Sequence, residues 1–91
     1  MKIVWDEPKR RSNIATHGLD LADADAFDWE SALVVPGHSA KDGRPRFRAI
    51  RWLGRALVTI VFSPLGAEAV SVISLRQASR AERKLHEKAI A

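Results

Sequence analysis

Three apolar, β-branched runs lie between Arg46 and Leu75, separated only by short turn-forming stretches, which leaves few folds open to the second half of the chain. Arg46–Leu53 and Leu57–Phe62 flank Gly54, and the spacing predicts a β-hairpin. Ser63-Pro64-Leu65-Gly66 is a second turn, and Val70–Leu75 reads as the next strand. Side chains alternate across a strand. Arg48, Ile50 and Trp52 therefore share one face of the first run, and Phe47, Ala49, Arg51 and Leu53 share the other. Arg46 and Arg48 can act together, and Arg51 cannot join them. Trp52 is expected in a core or an interface.

The first half reads differently. Lys2-Ile3-Val4-Trp5 suits a short strand. Asp6 is placed to cap a helix that carries Glu7 and Pro8 in its first turn and stops at His17-Gly18. Asp20 caps a second helix, with Leu21, Ala24 and Phe27 as its buried stripe. Leu33-Val34-Val35 is a strand ended by Pro36-Gly37, and Gly37–Pro45, with Ser39, Lys41 and Asp42, is a polar loop. Ser79-Arg80-Ala81-Glu82 is a capping box that opens a last helix, with Leu85 and Ala89 spaced for one face. The order β-α-α-β-β-β-β-α predicts an α+β fold, a mainly antiparallel sheet flanked by helices, in a single domain over residues 1–91.

Composition narrows the function classes. Hydrophobic residues make up 46% and charged residues 29%, the balance of a globular domain rather than a disordered chain. With no cysteine, disulfides and thiolate metal sites are excluded, which fits a reducing cytoplasm. The N-terminus carries no signal-like apolar run. The longest apolar stretch, Ala56–Phe62 broken by Thr59, is far shorter than a membrane span, so no membrane association is expected.

The formal net charge is +4, unevenly spread. Residues 1–40 hold four basic and seven acidic side chains, whereas residues 41–91 hold eleven basic and four acidic. The second half thus offers arginines to a polyanion, either a nucleic acid or an acidic protein; a solvated basic face fits the same count. His17, His38 and His86 show no metal-ligand spacing, and Asp20, Asp23, Asp25 and Asp28 read as a solvated helix face. No cofactor is expected.

Particular residues resemble a known family. Trp5-Asp6, Lys9, Asn13, His17-Gly18 and an acidic, alanine-rich segment ending in Phe27-Asp28 are similar to the opening of BrnT proteins. Gly43, Arg46, Ile50, Val72-Ile73-Ser74-Leu75-Arg76, Ala78 and Glu82-Arg83 continue the likeness. The chain departs from the family pattern at Arg44, Arg51, Phe62, Leu65, Ser71 and His86, the last of which stands where a tyrosine is frequent.

The resemblance implies a RelE-like fold and a type II toxin–antitoxin component, a small ribonuclease that inhibits translation. It also implies neutralisation by a BrnA-like ribbon-helix-helix antitoxin, with operator DNA reached only through that partner. A homodimer and a 2:2 complex with the antitoxin both remain open. Metal-independent RNA cleavage needs a base for the 2′-OH, cations for the phosphorane and an acid for the leaving oxygen. Arg76, directly after the last strand, is the first candidate, because guanidinium grips phosphate bidentately. His17 and His86 are acid–base candidates, with Glu82 and Arg83 beside them. His38 reads as an exposed loop residue. Lys9, Arg46, Arg48 and Arg80 are candidate RNA-phosphate contacts. Two rivals are a non-catalytic nucleic-acid-binding protein of the same fold and an antitoxin-docking module.

Overall fold

The computed structural model describes residues 1–38 and 43–90. Ser39, Lys41 and Asp42 of the expected polar loop lie outside the described residues. The hairpin forms as read, between β3 (Phe47–Leu53) and β4 (Ala56–Leu65). Leu53 pairs with Ala56 across a two-residue loop. Positive φ falls on Gly54 alone (60°), the first loop position, where a Gly-first hairpin turn needs it. The next strand, β5 (Ala69–Gln77), is longer than expected, so Arg76 lies within it rather than after it.

With β1 (Lys2–Val4) and β2 (Leu33–Pro36), the sheet has five strands in the order β1-β5-β4-β3-β2. It is mixed, not mainly antiparallel as the strand order along the chain suggested. β1 pairs parallel with β5, while the other three pairings are antiparallel. Strands joined by tight turns must run antiparallel. β1 and β5 have most of the chain between them, so no turn sets their direction.

Two helical elements precede β2. The α-helix α1 (Glu7–His17) ends on Gly18 at φ 70°, whose N–H bonds to the Ile14 carbonyl at 2.8 Å. Asp6 holds the N-cap position but makes no side-chain capping bond. The second element, expected as an α-helix, is a 3₁₀ helix over Leu21–Ala26. The Asp20 carboxylate accepts from the Ala22 N–H at 2.9 Å, tightening the first turn. The stripe Leu21, Ala24, Phe27 is buried as expected. Its constant spacing of three is the 3₁₀ period, not the α period.

The core lies between this segment and one sheet face. Leu21, Ala24 and Phe27 pack on Ala49, Val58, Ile60, Phe62, Val72 and Leu75. Trp29 stands edge-on to Phe27 and Phe62, each at 5.2 Å between ring centroids. Phe62, one of the departures from the family pattern, is thus a core residue. Arg51 falls on this side as expected, 3.6 Å from Asp28.

α2 (Arg80–Ile90) lies against the opposite face, where Glu82 reaches Thr59, Arg48 and Arg76. Its buried residues are Glu82 and His86; Leu85 and Ala89, expected to be its inner face, are exposed. A buried carboxylate held by partners draws the helix down on its polar side. Trp52, expected in a core or an interface, is 47% exposed. No helix among the described residues is long and apolar enough to cross a membrane.

Candidate functional site

Alternation along three neighbouring strands builds the face beneath α2. In register, Arg48 lies opposite Val61, which lies opposite Ser74; Ile50, Thr59 and Arg76 form the next row. All of these side chains project away from the aromatic core. Glu82 then enters from the first turn of α2.

Glu82 is 1% exposed, and its carboxylate is fully occupied. Arg76 donates to it bidentately, Nη1 to Oε1 at 2.6 Å and Nη2 to Oε2 at 2.9 Å. Arg48 Nη1 donates to Oε2 at 3.1 Å, and Thr59 Oγ1 to Oε1 at 2.9 Å. The capping box forms as expected: the Ser79 N–H donates to Oε1 at 2.8 Å, and the Glu82 N–H donates to Ser79 Oγ at 3.1 Å. Burial by itself would raise the Glu82 pKa. The hydrogen bonds from Arg76, Ser79, Thr59 and Arg48 outweigh it and hold the carboxyl far below the ordinary range. Glu82 is therefore ionised at any working pH, and its bond to Arg76 raises the guanidinium pKa.

Two guanidiniums share this one carboxylate, so the cluster keeps an excess positive charge. Both are partly open, Arg48 at 30% and Arg76 at 28% side-chain exposure. Together with Pro36, Gly37 and His38 they line a cleft of about 210 Å³. Arg48 is braced further by donating Nε to the Pro36 carbonyl at 3.1 Å.

A second depression, of about 270 Å³, lies where α1 meets β5, and Lys9, Asn13, His17, Arg46 and Ser74 are among its lining residues. Asn13 fixes this junction. β1 pairs with β5 only as far as Ser71. Beyond it, the Asn13 side chain takes up the strand edge, accepting from the Leu75 N–H at 3.1 Å and donating to the Leu75 carbonyl at 2.8 Å. A further bond to the Leu19 carbonyl at 2.8 Å secures the turn after the helix.

The structure thus groups Arg48, Arg76 and Glu82 in one place, and Lys9, His17 and Arg46 in another. Arg80 and Arg83 are exposed on α2 and line neither cleft, and His86 is buried. His38, read as a simple loop residue, lines the arginine cleft. Its signal was its position two residues after the end of β2. Thr59 was also missed as part of the site. A hydroxyl interrupting the apolar run Ala56–Phe62 was the visible sign, since a buried polar group requires a partner. Among the described residues, no group of three or more His, Asp or Glu is placed to hold a metal ion.

Comparison with known proteins bears on what these clefts serve. A family described as ribonuclease toxin, BrnT, of type II toxin–antitoxin systems matches residues 5–82. The crystal structure of the Brucella abortus ribonuclease toxin BrnT is similar, with a TM-score of 0.72 and 47% identity. That match covers 88% of this chain and 99% of the Brucella chain. A search of curated proteins gave no match. The matched span takes in α1, the whole sheet from β2 to β5 and the Glu82 cluster, and the chain belongs to the BrnT family of ribonuclease toxins of type II toxin–antitoxin systems.

Proposed function

We propose that this chain is the toxin of a type II pair, a ribonuclease that cuts RNA without a metal, inhibits translation in the cytoplasm and shares the RelE-like architecture. The observation that carries the reading is the Arg48–Arg76–Glu82 cluster. Two arginines are held rigid by one buried carboxylate, carry excess positive charge and open onto a cleft beside a histidine. Fixed cations beside an imidazole are what phosphodiester cleavage requires.

In the reaction, the substrate 2′-oxygen attacks the adjacent phosphorus and the bond to the 5′-oxygen breaks. A 2′,3′-cyclic phosphate and a 5′-hydroxyl result. One proton leaves the 2′-OH and one reaches the 5′-oxygen. Arg76 and Arg48 stabilise the charge on the phosphorane. Glu82, ionised and saturated with donors, holds them in place instead of moving protons. His38 at the arginine cleft and His17 at the neighbouring depression are the exposed imidazoles available for proton transfer; the buried His86, and Arg83 outside both clefts, are not placed to act on the substrate. Lys9, Arg46 and Arg80 extend the phosphate-binding surface. A BrnA-like ribbon-helix-helix antitoxin would neutralise the toxin by covering this basic face, and operator DNA would be bound through that partner.

Induced expression tests the biological half of this reading. Growth should stop when the chain is expressed alone and continue when the neighbouring antitoxin reading frame is expressed with it. Unimpaired growth with the chain alone, at comparable protein levels, contradicts it. Salt-sensitive RNA binding without cleavage would instead favour a non-catalytic RNA-binding protein.

A further inference from the structure

The depression between α1 and β5 has the composition of a phosphate site and stands apart from the arginine cleft. Lys9, Ser12, Asn13, Thr16 and His17 are spaced i, i+3, i+4, i+7 and i+8, so all fall on one face of α1. That face looks onto β5 at an irregularity in the sheet. Val61 pairs with Ser74 but Phe62 pairs with Val72, leaving Ile73 as an extra residue. A bulge of this kind re-aims the side chains around it, and Ile73 and Ser74 both line the depression.

Arg46 closes the opposite wall. Its backbone is fixed where the chain turns into β3, since its carbonyl accepts from the Gly37 N–H at 2.8 Å. Its Nε is buried and has no hydrogen-bond partner among the described residues. A buried donor without a partner is costly, so an anion that supplied an acceptor here would recover that cost. Lys9 adds a second cation, Ser12, Thr16 and Ser74 add hydroxyls, and among the described residues no acidic side chain lines the depression. The arginine cleft differs on this point, because Glu82 neutralises half of its charge.

Arg46 stands one residue before β3, and two residues of extended chain put it about 7 Å from Arg48, one step of an extended nucleotide. We infer that the depression lined by Lys9, Ser12, Thr16, Arg46 and Ser74 is a second nucleotide subsite, which takes the phosphate and sugar next to those held at Arg48 and Arg76. The inference rests on the ribonuclease reading and deepens it. The smallest well-bound substrate then spans both subsites, and α1 takes part in setting how RNA lies across the sheet.

The test uses 2′-O-methyl oligonucleotides, which cannot be cut, one to four nucleotides long, together with inorganic phosphate. Binding to the intact chain is followed by calorimetry at several salt concentrations. Affinity should rise sharply at the length that fills both subsites. Lys9→Gln and Arg46→Gln should each weaken the longer oligonucleotides about tenfold and lower the salt slope by about one, leaving a mononucleotide unaffected. Arg11→Gln, exposed on α1 outside the depression, should change neither. Circular dichroism checks the fold of each variant, and Lys9, exposed on α1, keeps the test valid if Arg46→Gln misfolds.

If wild-type chain binds and cuts RNA but both variants bind every length as wild type does, or weaken every length alike, the subsite is wrong and the ribonuclease reading stands. If wild type binds phosphate but no oligonucleotide, the depression is an anion site without an RNA role and the inference fails. If wild type neither binds nor cuts RNA, both fail together.

Discussion

Glu82→Ala is expected to lower the unfolding free energy by about 3–5 kcal/mol, read as a fall in the urea midpoint. The substitution removes the acceptor from Arg48, Arg76, Thr59 and the Ser79 N–H at once. It leaves two guanidiniums facing each other and a buried hydroxyl without its partner. Since whole domains are stable by only about 5–15 kcal/mol, the variant should be close to unfolding at physiological temperature. Glu82→Gln separates charge from shape. It keeps the volume and a capping acceptor but loses the ion pairs, so its cost should be smaller.

Acid should reproduce part of the effect. The folded-state pKa of Glu82 is depressed, so its contribution is complete above the ordinary carboxylate value of about 4.3 and drains away as pH falls below it. Asp20, bonded to Arg10, and Asp28, bonded to Ser31, are depressed as well and change stability in the same direction. The urea midpoint of wild type should therefore drop between pH 7 and pH 3 by more than that of Glu82→Gln. Equal drops would mean that the buried cluster contributes nothing to acid sensitivity.

Arg76→Ala should reduce RNA cleavage by about 10²–10³-fold, the usual loss when one fixed donor to a developing oxyanion is removed. Arg76 also makes two of the hydrogen bonds that hold Glu82, so some stability is lost too, and rates must be compared where circular dichroism shows the variant folded. Arg76→Lys keeps the charge but cannot reproduce the planar, bidentate grip, and should fall between the two. A variant that folds and cuts at the wild-type rate would remove Arg76 from the chemistry and leave it a purely structural role.

Much of this arrangement was legible before the fold was known, because it rests on local rules. Gly54 and the alternation after it define the hairpin, and the parity of positions 46, 48 and 51 separates the arginines by face. Ser79 and Glu82 form their capping box through neighbours three residues apart. What escaped the sequence depends on tertiary pairing. The parallel β1–β5 contact has no turn to announce it. The inner face of α2 is chosen by Arg48, Thr59 and Arg76, residues on three different strands, so hydrophobic periodicity pointed instead to Leu85 and Ala89. The 3₁₀ helix shows its spacing of three, but the α-helix is the commoner reading of a short apolar stripe. The site was partly visible for the same reason. Arg76 and Arg48 stood out by charge, while their union on one carboxylate, the place of His38 and the split between two clefts follow from the sheet.

The account is tested most directly by incubating the purified chain with single-stranded RNA in the presence of EDTA, beside the same RNA carrying one 2′-deoxy substitution at the cleaved position. The account predicts cleavage that EDTA does not stop, products ending in 2′,3′-cyclic phosphate and 5′-hydroxyl, and no cleavage at the deoxy position. No cleavage of the unmodified RNA, or cleavage that persists at the deoxy position, would contradict it.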